Sequence, residues 1–180
     1  MKTRNILWGI LSQKPEALEY MLSKKPVLMS TLIVFISALF SSILVLLTER
    51  NLSFIFLSLN VFLRIIVLYW LMFSIVVNLG FKIIYRTKTS LSQILSFIGM
   101  LSPLFSISLT LWELIIRVTS PNIIYLLISV IPTIYFMILL LDGLATIYQQ
   151  PRRYLVSLVI LAMIVWVPII GILRYVGGLV

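Results

Sequence analysis

Three ionisable side chains, Arg64, Glu113 and Asp142, fall inside or beside long apolar runs of this chain. A charge at the centre of a membrane helix costs about 2.5–3.5 kcal/mol on insertion scales, so each needs a partner, a route to water or a task. The chemistry open to such groups is ion pairing, an ion or substrate path, or proton relay. Arg64 and Glu113 both read toward the outer ends of their helices, where structural pairing with each other or snorkelling is expected, with an ion or substrate path as the alternative. Asp142 lies in LLLDGLATIYQQPRRYL, residues 139–155, shortly before a basic turn. Its expected partners are Arg152 and Arg153, or Lys82 and Arg86. A structural charge contact near the inner surface is expected there, since a relay needs a second titratable group and no histidine or nearby carboxylate supplies one. Gly143 beside it lets a neighbouring helix approach closely.

The chain contains no histidine and no cysteine. That removes imidazole-based triads, thiolate chemistry, disulfides and the usual zinc and haem ligands. One carboxylate without a paired acid or base does not make a catalyst. No catalytic residue, metal site or cofactor is assigned, and the chain is read as non-enzymatic.

A second pattern is spatial. Ser92, Ser96, Gly99, Pro103, Ser106 and Thr110 recur every three or four residues and so share one helical face. Small residues let helices pack closely in lipid, where hydrophobicity alone does not join them. The stripe is read as a packing face, with the lining of a polar pathway as the alternative. Pro103 should kink its helix near Gly99, with Ser102 and Ser106 placed to satisfy the freed backbone groups. Pro132 and Pro168 add two further expected bends.

The elements that must position these residues are set by composition. Hydrophobic residues make up 62% of the 180 residues and charged residues 11%, with a mean hydropathy of +1.19. Ordinary soluble domains are about 45–50% apolar and about 25% charged. Apolar runs of about 20 residues suit a bilayer core instead. Five such runs are bounded by charges or turn residues, at about 27–47, 54–81, 91–115, 123–146 and 154–173. The expected fold is all-α: an integral membrane five-helix bundle occupying 27–180, preceded by an amphipathic segment, 1–26. The first apolar run is too long for the core of a signal peptide and should be retained.

Charge orients the bundle. Lys2, Arg4, Lys14, Lys24, Lys25, Lys82, Arg86, Lys88, Arg152 and Arg153 fall in alternate extramembrane segments, against Arg50, Arg117 and Arg174 in the others. The positive-inside rule places the first set in the cytoplasm, with the N-terminus inside and the C-terminus outside. The net charge of +9 is thereby a matter of topology. Nucleic acid is excluded as a partner, because no basic helix stands apart from the apolar runs.

Within MKTRNILWGILSQKPEALEYMLSKKP, Ile6, Leu7, Ile10 and Leu11 recur at helical spacing, and Trp8 suits an interface. Pro15 can open a second helix, with Glu16 and Glu19 near its positive end and Ala17, Leu18, Met21 and Leu22 on its apolar face. Two short helices lying along the cytoplasmic membrane surface are expected. Docking onto a protein partner would use the same pattern.

Four features together resemble the Yip family, polytopic proteins named for interaction with Ypt/Rab GTPases, and in particular its small prokaryotic branch. They are ILSQKPEALEYMLSKKP before the first span, KTSLSQILSFIGMLSPLF at the third, LLLDGLATIYQQPRRYLVSLVI around the last turn, and the five-span, N-inside plan. The resemblance implies a five-helix bundle in a prokaryotic cytoplasmic membrane, and a non-enzymatic scaffold that binds other membrane proteins or itself. In eukaryotes the family is associated with vesicle traffic, GTPase binding and membrane shaping. Here residues 1–26 are too short for a long soluble domain, so GTPase binding is not expected. The alternative function is a small transporter, channel or permease subunit using bent helices and Asp142.

Overall fold

Proline and charge punctuate the start of the chain. Lys14 is extended, Pro15 opens a helix at the position where its missing N–H is harmless, and Glu16 sits in the first turn. That helix, α2 (Pro15–Lys24), ends when Lys25 turns left-handed and its N–H bonds to the Met21 carbonyl. It follows α1 (Thr3–Leu11) in a tight hairpin. A Cβ on Gly9 would stand 2.6 Å from that of Ala17, so the two helices cross there on glycine. The structure is a computed structural model and describes residues 3–12, 14–48, 52–87, 89–117, 123–162 and 164.

The long helices follow the apolar runs: α3 (Val27–Thr48), α4 (Leu52–Tyr85), α5 (Leu91–Arg117) and α6 (Ile123–Tyr148). Residues 152–162 form a further helix, α7, and no strand occurs among the described residues. Three of them, α3, α5 and α6, are long and apolar enough to cross a membrane. Residues Tyr69–Tyr85 of α4 make a shorter apolar stretch. Both α5 and α6 continue past their internal prolines, Pro103 and Pro132. Pro168 lies outside the described residues.

Local chemistry closes the ends. Ser90 and Gln93 form one half of a capping box, with the Ser90 N–H donating to Gln93 Oε1 at 3.0 Å. Gln93 Nε2 reaches the Leu22 carbonyl at 3.2 Å, so one side chain starts α5 and satisfies the end of α2. α6 ends with Gln149 at a left-handed φ of 53°. The Gln150 N–H returns to the Ala145 carbonyl at 3.2 Å, a Schellman closure, and Pro151 then restarts the chain as α7.

α5 is the centre of the assembly, touching α1, α2, α3, α4 and α6. Trp70 of α4 donates its indole N–H to the Leu95 carbonyl at 2.7 Å. Tyr69, Phe105 and Phe136 form an aromatic column across α4, α5 and α6, with centroids 4.0 and 5.8 Å apart. A second group, Phe81, Tyr148, Tyr85 and Tyr154, ties the ends of α4, α6 and α7. Gly80 admits Leu158, whose Cδ1 lies 2.5 Å from where a Cβ would stand.

Part of the apolar face of the amphipathic hairpin joins the bundle core. Ile6, Ile10, Ala17 and Met21 are buried in the same core as the long helices, while Trp8 is 66% exposed. These four residues pack on the chain's own bundle, while Leu7, Leu11, Leu18 and Leu22 of the same hairpin are half-buried. Helical spacing marks an apolar face but not the surface that receives it.

Candidate functional site

Hydroxyl groups on facing helices make the seam between α3 and α5. Ser106 Oγ donates to the Ser37 carbonyl at 2.6 Å, Ser41 Oγ donates to the Ser106 carbonyl at 3.2 Å, and the Ser41 and Ser106 hydroxyls touch. Ser102 Oγ donates to Ser37 Oγ at 3.4 Å. In lipid a buried hydroxyl has no water to bond, so such cross-helix bonds hold the pair together. Gly99 permits the approach: a Cβ there would lie 2.8 Å from Ser30 Cβ and 2.9 Å from Trp70 Nε1. Ser96 and Thr110 are buried, while Ser92 and Pro103 are half-buried. Ser92 bonds to Ser90, and Thr110 to the Ser106 carbonyl within α5.

Two expectations change here. Ser102 and Ser106 bond across to α3, the nearest polar surface, rather than to backbone groups freed by Pro103. The matching face of α3, Ser30, Val34, Ser37, Ala38 and Ser41, escaped the sequence reading. Its signal was available, as the small residues recur at helical spacing inside an otherwise bulky run.

Asp142 sits at the other point of interest. It lies six residues before the end of α6, about 9 Å along a helix rising 1.5 Å per residue. Its Oδ1 pairs with Arg152 Nη2 across the α6–α7 turn, with side chains 22% and 66% exposed respectively. Of the expected partners the structure selects Arg152. Arg153 instead lies over the Tyr154 ring, 4.9 Å from its centroid. Gly143 makes room not for a helix backbone but for the Phe97 ring of α5, which occupies the space a Cβ would need. Arg64 and Glu113 belong to α4 and α5, but their side chains lie outside the described residues, and so does their expected pairing.

The ion pair stands at the mouth of a cavity of about 470 Å³ between the α1–α2 hairpin and α5–α6. Its walls are apolar: Ile10, Leu18, Leu22, Phe97, Leu139 and Ala145. Four charged side chains, Lys14, Glu19, Asp142 and Arg152, border it. The hairpin is held over it by Tyr135, whose hydroxyl donates to the Leu11 carbonyl, and by the Gln93–Leu22 bond. Lys14 and Glu19 lie more than 120 positions from Asp142, a separation that helical periodicity does not bridge. Among the described residues, no group of three or more His, Cys, Asp or Glu is placed to hold a metal ion. The arrangement suits binding of a molecule with an apolar body and a charged end. Comparison with family models, curated proteins and solved structures finds no match for this chain.

Proposed function

We propose that the chain is a five-span integral membrane protein, cytoplasmic at its N-terminus, that acts as a non-enzymatic scaffold binding other membrane proteins or itself. The reading agrees with the resemblance to the Yip family, and it puts the protein in a prokaryotic cytoplasmic membrane. Beyond the three candidate spans, α4 has 34 residues, about 51 Å, against a hydrocarbon core about 30 Å thick. α7 opens the fifth apolar run. The segments that charge assigns to the cytoplasm meet at one end of the bundle: Gln93 touches Leu22, Tyr85 faces Tyr154, and Lys14 shares a cavity with Arg152.

The observation that carries the scaffold reading is where polar and apolar surfaces go. Ser37 and Ser41 of α3 are engaged with Ser102 and Ser106 of α5, and Asp142 with Arg152. The opposite face of α3 offers Leu28, Leu32, Phe35, Ile36, Leu39 and Phe40 outward, an apolar surface for lipid or a partner helix. Purification of the native protein in mild detergent with in-membrane crosslinking should yield a constant partner or a self-associated form. A monomer without constant partners would count against the scaffold. One observation favours the transporter reading, the cavity reaching Asp142. Its α6 walls run only from Leu139 to Thr146, so it opens at one end of that helix. Solute flux in proteoliposomes that is lost in Asp142→Asn would favour transport.

A further inference from the structure

We propose that the cavity beside Asp142 binds one aminophospholipid, with an acyl chain against the apolar walls and its phosphate and ammonium read by the charged side chains at the mouth. The proposal rests on the reading of the chain as membrane-embedded but not on its being a scaffold. At about 470 Å³ the cavity falls within the range of about 300–1,000 Å³ usual for small-ligand sites. The same volume would admit only about one turn of a helix 10 Å across, which argues against a partner helix as occupant. Water can hydrate the charged rim, but the Ile, Leu and Phe walls give it few bonding partners.

Depth favours a lipid. Asp142 lies about 9 Å below the end of α6, the level at which interfacial groups meet acyl chains. The mouth also has a specific charge pattern. Lys14 and Arg152 balance Glu19 and Asp142, so a net-charged ligand would leave an excess charge. A zwitterionic headgroup can instead meet the cations with its phosphate and a carboxylate with its ammonium. Arg152 commits one nitrogen to Asp142, which holds the guanidinium beside the cavity. A guanidinium has five N–H donors, so several remain for a phosphate, and Lys14 adds a second cation. Glu19 offers carboxylate oxygens to a primary ammonium, which has three donors. A quaternary choline group has none. An anionic glycerol headgroup would set its charge beside two carboxylates with no ammonium to meet them.

The test is native mass spectrometry of the full chain in mild detergent, titrated separately with phosphatidylethanolamine, phosphatidylcholine and phosphatidylglycerol. The expected result is a one-to-one adduct with phosphatidylethanolamine, retained at least about fivefold better than the other two, which is about 1 kcal/mol of preference. Ala145→Phe, which fills the cavity, should weaken that adduct at least about tenfold. Glu19→Gln, at an exposed position that leaves the fold intact, should abolish the preference over phosphatidylcholine while lipid still binds. Equal retention of the three lipids by the native chain would overturn the proposal, as would an unchanged preference in Glu19→Gln. Free phosphoethanolamine that displaces the lipid at equal concentration would overturn the acyl-chain part. Recovery of the chain in the soluble fraction without detergent would instead overturn the membrane reading on which the proposal rests.

Discussion

The ring of Phe97 lies against the backbone of Gly143, filling the space where a side chain on that residue would begin. This contact locks α5 to α6 beside the cavity, one residue from the Asp142–Arg152 pair. Gly143→Ala should therefore lower stability by about 1–3 kcal/mol, the usual range for overpacking. Thermal melting in detergent measures it. Adding Phe97→Leu to Gly143→Ala should recover part of the loss, because the smaller side chain vacates the clash. No recovery in the double variant would mean that the glycine is needed for another reason.

The α3–α5 seam predicts coupling between serines 65 positions apart. Ser41→Ala and Ser106→Ala should each destabilise the bundle. Their double-mutant cycle should show a coupling of about 0.6 kcal/mol, with about 1.7 as the upper end for membrane hydrogen bonds. Gly99→Leu should be far worse, since its side chain meets Ser30 and the Trp70 indole. Additive serine effects together with a tolerated Gly99→Leu would show that the stripe does not bear on α3.

Asp142 is expected to act through position and charge. Asp142→Asn keeps the shape and most hydrogen bonds, and because Arg152 is well exposed the loss should be about 1 kcal/mol or less. Asp142→Leu should cost more, as it leaves the guanidinium without its partner at the cavity mouth. Melting temperatures of the two variants decide this; equal values would remove the ion pair from the account.

Gln149 adopts a left-handed conformation that L side chains other than Asn and Asp rarely take. Gln149→Gly should stabilise the α6–α7 turn by about 0.5–1 kcal/mol, the relief of strain less the extra chain entropy of glycine. A lower melting temperature in this variant would show that the Gln149 side chain contributes more than its backbone costs.

The helices were legible because each apolar run is bounded by marks with a mechanism. Lys24, Lys25 and Pro26 precede α3, Ser90 and Gln93 open α5, and Pro151 separates α6 from α7. Periodicity also marked the α5 stripe and the apolar face of the N-terminal hairpin. It could not name what covers a face, which is a property of two elements. Hence Ser37 and Ser41 were missed as partners of Ser106, and the packing of Ile6 and Ala17 on the bundle was not foreseen. The cavity was illegible for the same reason, since Lys14 and Glu19 reach Asp142 only through the fold.

The central claim is that the N-terminal hairpin, the α4–α5 turn and the α6–α7 turn share the cytoplasmic side of a five-span bundle. Because the chain contains no cysteine, single cysteines report sidedness without background. The direct measurement is labelling of Lys14→Cys, Arg86→Cys and Arg153→Cys, with Asn51→Cys and Asn122→Cys as the opposite set, by a membrane-impermeant maleimide before and after permeabilisation. The account predicts that the first three label only after permeabilisation and that the other two label in intact cells. Arg86→Cys and Arg153→Cys reporting opposite sides would contradict it.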